Sequence, residues 1–371
     1  MWKSRRRIAL ATFILFCGLT GQAGPGLAES QAAALGRAGW EAIRAGQPQA
    51  AGRSFEAAIA ANPQDATSFL GAGLAAHLQG QEGEARASLQ EAVRLNPKLT
   101  AAVLLLGEIA YRAGDLDTAI RTYEDALAVA PEHKQIQARV ETWRKEAALH
   151  SGFQKALSPH FTILFEGPAE QRMAAAALDM LEAAYWRIGT TLLAYPPSII
   201  TVVLYTDEQF RDITRSPAWA AGVFDGKIRV PMRGALNDPR QLEKVLAHEF
   251  THALVKSLGG RGLPTWLDEG LAVVCEAGDL RWAEKLVRQA RAVIPLPELQ
   301  SGFVHLSPDQ VPLAYAESAL AVQLLVERGG AAAMSALLQD LAEGQDFAQA
   351  FERRFFLSVA DFKSAWEQRV Q

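Results

Sequence analysis

Apolar positions follow a helical period through the first 150 residues and alternate between strand and helix periods after that. In 133–149, Ile136, Val140 and Trp143 fall on one helical face. A linker is expected over 150–159. Beyond it, 161–166 predicts a strand and 169–192 a long helix. Pro196 and Pro197 break the chain before the β-branched strand 199–205. A short helix over 207–213 leads to the alternating residues of 222–230, where Asp225-Gly226 predicts a hairpin turn. Two helices follow. From Arg281 onward the pattern is helical, with breaks at 295–297, Pro308 and Gly329-Gly330. The order predicts an α+β chain: an N-terminal all-α array, then a small mixed sheet plus helices.

Within the array a repeat is visible. Pro63, Pro97 and Pro131 are spaced by 34 residues, as are Gly46, Gly80 and Gly114, and Gly39, Gly73 and Gly107. Ala51, Ala85 and Ala119 recur in the same register, as do Phe55, Leu89 and Tyr123, and Ala58, Ala92 and Ala126. This pattern resembles the tetratricopeptide repeat, a helix–turn–helix unit with small residues where helices cross. The resemblance covers 32–133 and implies three stacked repeats. With 133–149 as a capping helix, the repeat domain spans 32–149. It implies a concave groove that binds a peptide or a protein partner. Few aromatics and no basic cluster line the repeats, so the ligand is not legible.

The most specific chemistry lies in His248-Glu249-Phe250-Thr251-His252. On a helix, side chains four apart share a face, so both imidazoles can reach one metal ion. Asp238, Pro239 and Gln241 read as the start of that helix and Gly259-Gly260 as its end. Leu242, Val245, Leu246, Leu254 and Val255 supply its apolar positions. A catalytic zinc takes three protein ligands and keeps one position open. Glu269 is the candidate third ligand, in the first turns of a second helix that Thr265 can cap. Gly270 beside it would let two helix backbones approach closely, bringing the carboxylate to the histidine-bearing helix.

H-E-x-x-H followed by W-L-x-E-G-x-A resembles the gluzincin metallopeptidases, in particular the peptidase MA-like domains. The resemblance implies one Zn2+ per chain held by His248, His252 and Glu269. It makes Glu249 the general base of a peptide-bond hydrolysis carried out by a zinc-activated water. The oxyanion donor of such enzymes is a downstream tyrosine or histidine, here Tyr315 or His305, with Tyr315 in a segment similar to the family's Y-A-x-S. The gap between the two motifs is two residues shorter than in the aminopeptidases that share them. Val273 stands where thermolysin-like relatives keep an acid that orients a histidine, which leaves Asp268 or Glu276 for that task. The domain is expected over 160–371, with 222–230 as an edge hairpin for substrate and Trp219 packing near it. Trp266 is read as the packing residue that seats the Glu269 helix. No acidic exopeptidase motif stands out, which points to an endopeptidase. The other reading is an envelope scaffold whose peptidase-like domain is inactive, and an intact Glu249 favours the enzyme.

Lys3 and Arg5-Arg6-Arg7 precede an apolar run from Ile8 to Leu19, followed by small residues to Ala28. This reads as a secretory signal peptide over 1–28, with an uncleaved anchor as the alternative, and predicts export to a bacterial periplasm or envelope. Cys17 belongs to that apolar run. Cys275 would then be the single cysteine, a buried hydrophobe with no disulfide partner in the chain. Removing the four basic residues of 1–28 would take the formal charge from −4 to −8. With no basic stripe, nucleic-acid binding is not expected. The remaining histidines His77, His133, His150 and His160 are read as solvated or capping.

Overall fold

The computed structural model describes residues 27–371, apart from 197, 215–221, 233–237, 259–262, 277, 301, 304, 344 and 371. The expected signal segment up to residue 26 (with Cys17), Trp219 and the Gly259-Gly260 helix end lie outside the described residues. Leu27 and Ala28, counted with the signal segment from sequence, open the first helix.

The first compact unit, ending at Ala148, is a row of helices. They are α1 (Leu27–Arg44), α2 (Pro48–Ala61), α3 (Ala66–Leu78), α4 (Glu82–Leu95), α5 (Thr100–Arg112), α6 (Leu116–Val129) and α7 (Lys134–His150). The 34-residue period has a steric basis here. Gly73 faces Leu89 across the α3–α4 pair, and Gly107 faces the Tyr123 ring across α5–α6. A methyl group on Gly107 would sit 2.3 Å from that ring. Gly39 meets Phe55 in the same way. Each repeat thus seats one large side chain of its second helix on a bare patch of its first. Trp143 of α7 closes the row, stacked 5.0 Å from Tyr111 and tilted 4.6 Å from Tyr123.

The second unit takes in most of the chain from Leu149. Its sheet has β1 (Gln154–Leu157), β2 (Phe161–Phe165), β3 (Ile200–Tyr205), β4 (Val223–Phe224) and β5 (Ile228–Pro231). The order among the described residues is β1-β2-β3-β5-β4. β2, β3 and β5 run parallel, while β1 and β4 are antiparallel edges, so the sheet is mixed. Residues 150–159, read from sequence as a linker, therefore contain a strand. Its Gln-Lys-Ala-Leu sequence lies largely exposed at an edge and carries no strong alternation to announce it.

α8 (Gln171–Leu192) and α10 (Pro239–Ser257) pack together over the sheet, with Phe250 against Phe161 and Tyr185. α9 (Asp207–Thr214) links β3 to the β4–β5 hairpin. After α10 come α11 (Thr265–Val274), α12 (Arg281–Gln289), α13 (Val311–Ala342), α14 (Phe347–Phe355) and α15 (Val359–Val370). α13 is kinked at Gly330, whose φ of 73° leaves the helical region at the expected break. Among the described residues, no helix is long and apolar enough to cross a membrane.

Candidate metal centre

Asp238 opens α10 as expected, its carboxylate accepting from the Gln241 N–H at 3.2 Å with Pro239 in the first turn. Ten residues on, His248 and His252 present their Nε2 atoms 3.2 Å apart. Glu269 comes from α11. Its Oε2 lies 3.5 Å from His248 Nε2 and 3.3 Å from His252 Nε2. Two ligands on a tetrahedral zinc, each bonded at about 2.0–2.1 Å, stand about 3.3–3.4 Å apart. The three donor atoms have the spacing of three corners of such a tetrahedron, so the donor set fits zinc in both chemistry and size.

The second nitrogen of each ring is held. His252 Nδ1 is 2.9 Å from Asp268 Oδ1, and His248 Nδ1 is 2.9 Å from Glu276 Oε1. Both acids that the sequence offered as alternatives are thus engaged, one per histidine. Each fixes its ring with Nε2 turned toward Glu269. Asp268 precedes the ligand on α11, and Glu276 follows the end of that helix, so neither needs the position held by Val273.

Burial alone would depress both imidazoles. Hydrogen bonds to Glu269 and Glu276 outweigh it and carry His248 up to about 10. The charges of Asp268 and Glu269 carry His252 up to about 9. Glu249 is buried, and burial raises its carboxyl above the ordinary range against the pull of the two histidines.

Gly222, just before β4, lies over Glu249. A methyl group there would sit 2.7 Å from Glu249 Cγ and 2.8 Å from its Oε1. The edge strand therefore runs directly past this carboxylate. Lys256 steadies the same strand, its Nζ 4.8 Å from the Phe224 ring centroid and donating to the Phe224 carbonyl at 3.3 Å. Sequence reasoning identified the hairpin but not Gly222, because only sheet register brings it to α10. The turn of that hairpin is fixed from below by Arg229, fully buried, which donates to Asp225 at 3.1 Å and to the Tyr205 hydroxyl at 2.7 Å.

Tyr315 of α13 is half-buried beside the cluster, its ring centroid 6.1 Å from that of His248. Burial, together with the negative charges of Glu269 and Glu249, raises its hydroxyl pKa well above the usual value, so it stays protonated and able to donate. His305 is exposed.

Several sequence expectations need correction. Thr265 is the first residue of α11, with Pro264 at the cap position, so it does not cap the helix. Gly270 does permit a close helix approach, but to α13 rather than to the histidine-bearing α10. A methyl group there would meet the Ser318 carbonyl oxygen at 2.3 Å. Trp266 is a buried packing residue as expected, stacked on Phe362 of α15 with ring centroids 5.8 Å apart. Cys275 is buried as expected, which pushes its thiol up to about 11 and leaves it inert. Of the histidines read as solvated or capping, His133 accepts from the Ile136 N–H of α7. His77 instead pairs with Glu82, His150 with the Tyr205 hydroxyl, and His160 with Glu182 while stacking on Tyr185.

Residues 190–371 match the family model described as Peptidase MA superfamily. Two models, each described as Tetratricopeptide repeat, match residues 37–100 and 76–140. No curated protein matches the chain. The chain therefore carries tetratricopeptide repeats over 37–140 and a Peptidase MA superfamily domain over 190–371.

Proposed function

We propose that this protein is an exported zinc-dependent endopeptidase whose repeats recruit a substrate or partner protein. The observation that carries the reading is the convergence of His248, His252 and Glu269 donor atoms beside the buried Glu249. A zinc ion held there would polarise a substrate carbonyl and make a neighbouring water more acidic. Glu249 is the one carboxylate at the centre with no role as ligand or histidine partner. It would take a proton from the attacking water and deliver it to the leaving amine. Tyr315, held protonated, would donate its O–H to the developing oxyanion.

The edge strand supports peptide as the substrate class. Among the described residues β4 has β5 on one side only, and backbone pairing on its other side would draw an extended peptide across Glu249. Export to the periplasm or envelope of a bacterium is supported by Lys3 and Arg5-Arg6-Arg7 ahead of the apolar run that begins at Ile8. Helical repeats are interaction surfaces, which supports recruitment of a protein.

The reading is tested by metal analysis of the purified full chain beside Glu269→Ala, then by peptide cleavage with and without Glu249→Gln. Expected are about one zinc per chain, lost in Glu269→Ala, and cleavage abolished in Glu249→Gln with the zinc retained. A folded parent that binds zinc and cleaves no member of a proteome-derived peptide library would overturn it.

A further inference from the structure

A second depression adjoins the metal centre. It encloses about 480 Å³ and is lined by Arg240, Glu243, Lys244, Gly278, Asp279 and Trp282. Two elements that build the centre also build this depression. Lys244 and Arg240 stand one and two helical turns before His248 on α10. On an α-helix, residues 240, 244, 248 and 252 form a continuous row. The opposite wall continues the chain from Glu276, the residue that holds His248. Gly278 there packs against the Lys244 side chain, with a methyl group in its place lying 3.6 Å from Lys244 Cε.

The charges in this depression are unevenly satisfied. Asp279 is neutralised locally, its Oδ2 2.8 Å from Arg281 Nε and its Oδ1 accepting the Arg281 N–H at 3.1 Å. Arg240 and Lys244 form a like-charged pair four residues apart, an arrangement that disfavours itself on a helix. Neither makes a salt bridge among the described residues; the Lys244 charge also helps to hold the Asp279 carboxyl down, and Glu243 is the other acid in the lining. The metal centre next to it has the opposite character, with Glu249, Asp268, Glu269 and Glu276 crowded around two histidines. An acidic substrate residue would be repelled at the centre and attracted one step away from it. Trp282, 42% exposed, adds a flat apolar wall.

Resting on the protease reading above, we propose that this depression is a specificity subsite. It takes a carboxylate of the peptide substrate, held by Arg240 and Lys244 with its stem against Trp282. Distance fixes which residue enters. One to two helical turns cover about 5–11 Å, and an extended peptide advances about 3.3 Å per residue. A peptide laid along this stretch of α10 would bring there a residue two or three positions from the scissile bond. The carboxylate can come from an Asp or Glu side chain or from the C-terminus of the peptide.

The test profiles cleavage by the full zinc-loaded chain on a proteome-derived peptide library read by mass spectrometry. Half the library carries free C-termini and half is amidated. The expected result is an enrichment of about tenfold for Asp or Glu two or three positions from the cut. If the site reads a peptide end instead, cuts would cluster two or three residues from free C-termini and vanish in the amidated half. Either preference should collapse in Arg240→Ala/Lys244→Ala, and Lys244→Glu should favour Lys or Arg at the same position. Zinc content in each variant confirms that the centre survives. Cleavage with no carboxylate preference, or a preference that persists in the double variant, overturns the subsite and leaves the protease intact. A zinc-loaded parent that cuts nothing overturns both.

Discussion

Gly222 and Glu249 come from different layers of the second domain, yet no side chain larger than hydrogen fits between them. The edge strand and the candidate base are thereby held at van der Waals contact. Gly222→Ala would push a buried carboxylate aside, since Cγ and Cδ as well as the oxygen lie within 3.0 Å of the added methyl. The expected outcome is a fall in kcat on the order of 100-fold, typical of a misplacement by about 1 Å. Zinc content, measured by plasma emission on the same sample, should stay at the parent value. An unchanged kcat would show that Glu249 is not held by this contact.

Asp268 and Glu276 each hold one histidine ring, so each should be felt in metal affinity rather than in the presence of the site. Asp268→Ala and Glu276→Ala are expected to weaken zinc binding by about 10- to 100-fold each. Competition against a chromophoric chelator measures this directly. Equal affinity in parent and variants would mean that the rings are fixed by packing alone.

In the metal-free protein the two histidines hold protons well above neutrality, near pH 10 and 9. Zinc must displace those protons. At pH 7.5, binding should release about two protons per ion. Calorimetric titrations in buffers of different ionisation enthalpy give the number. Release near zero would contradict the charge state assigned to the cluster. The sign for stability follows from the raised values. Metal-free protein gains from these two groups below about pH 6.5, and loses that gain as pH rises through 9 to 10.

Glu317 on α13 is fully buried, and both its oxygens accept from the Ile294 N–H, at 2.9 and 3.1 Å. Burial outweighs that bond and pushes its carboxyl up to about 7. A carboxyl raised in the folded state contributes stability below its unfolded value, which is lost as pH rises through about 7. The protein should therefore melt at a higher temperature at pH 5 than at pH 8, with Glu317→Gln removing much of the difference. The effect is of order 3 kcal/mol. A variant as pH-sensitive as the parent would place the titration elsewhere.

The parts of the site that share one helix are legible in the sequence. His248, Glu249 and His252 are ordered by helical period alone, and Glu269 by the start of the next helix. The repeats are legible for a similar reason. Their pairs of a glycine and a large side chain lie 16 residues apart, within one helical hairpin, and recur. What is not legible depends on contacts far apart in the chain. The register of β4 on β5 brings Gly222 to Glu249, and the seating of α11 on α13 decides which backbone Gly270 meets. β1 escapes notice because an exposed edge strand has no buried face to impose a pattern. Glu276 could be offered only as an alternative, since its reach depends on the turn that follows α11.

Gly270 has a wider consequence. The helix it presses against the Ser318 carbonyl carries Glu269, the carboxylate ligand, and Asp268, the acid that aims His252. Both move as one rigid piece. Lifting α11 from α13 would strip away a ligand and misalign another in the same motion, so the centre has no stable half-built form. Metal occupancy and the docking of these two helices would then be linked equilibria. Whatever loosens that helix contact would empty the site, and a metal bound there would in turn clamp the fold at a place remote from the ion.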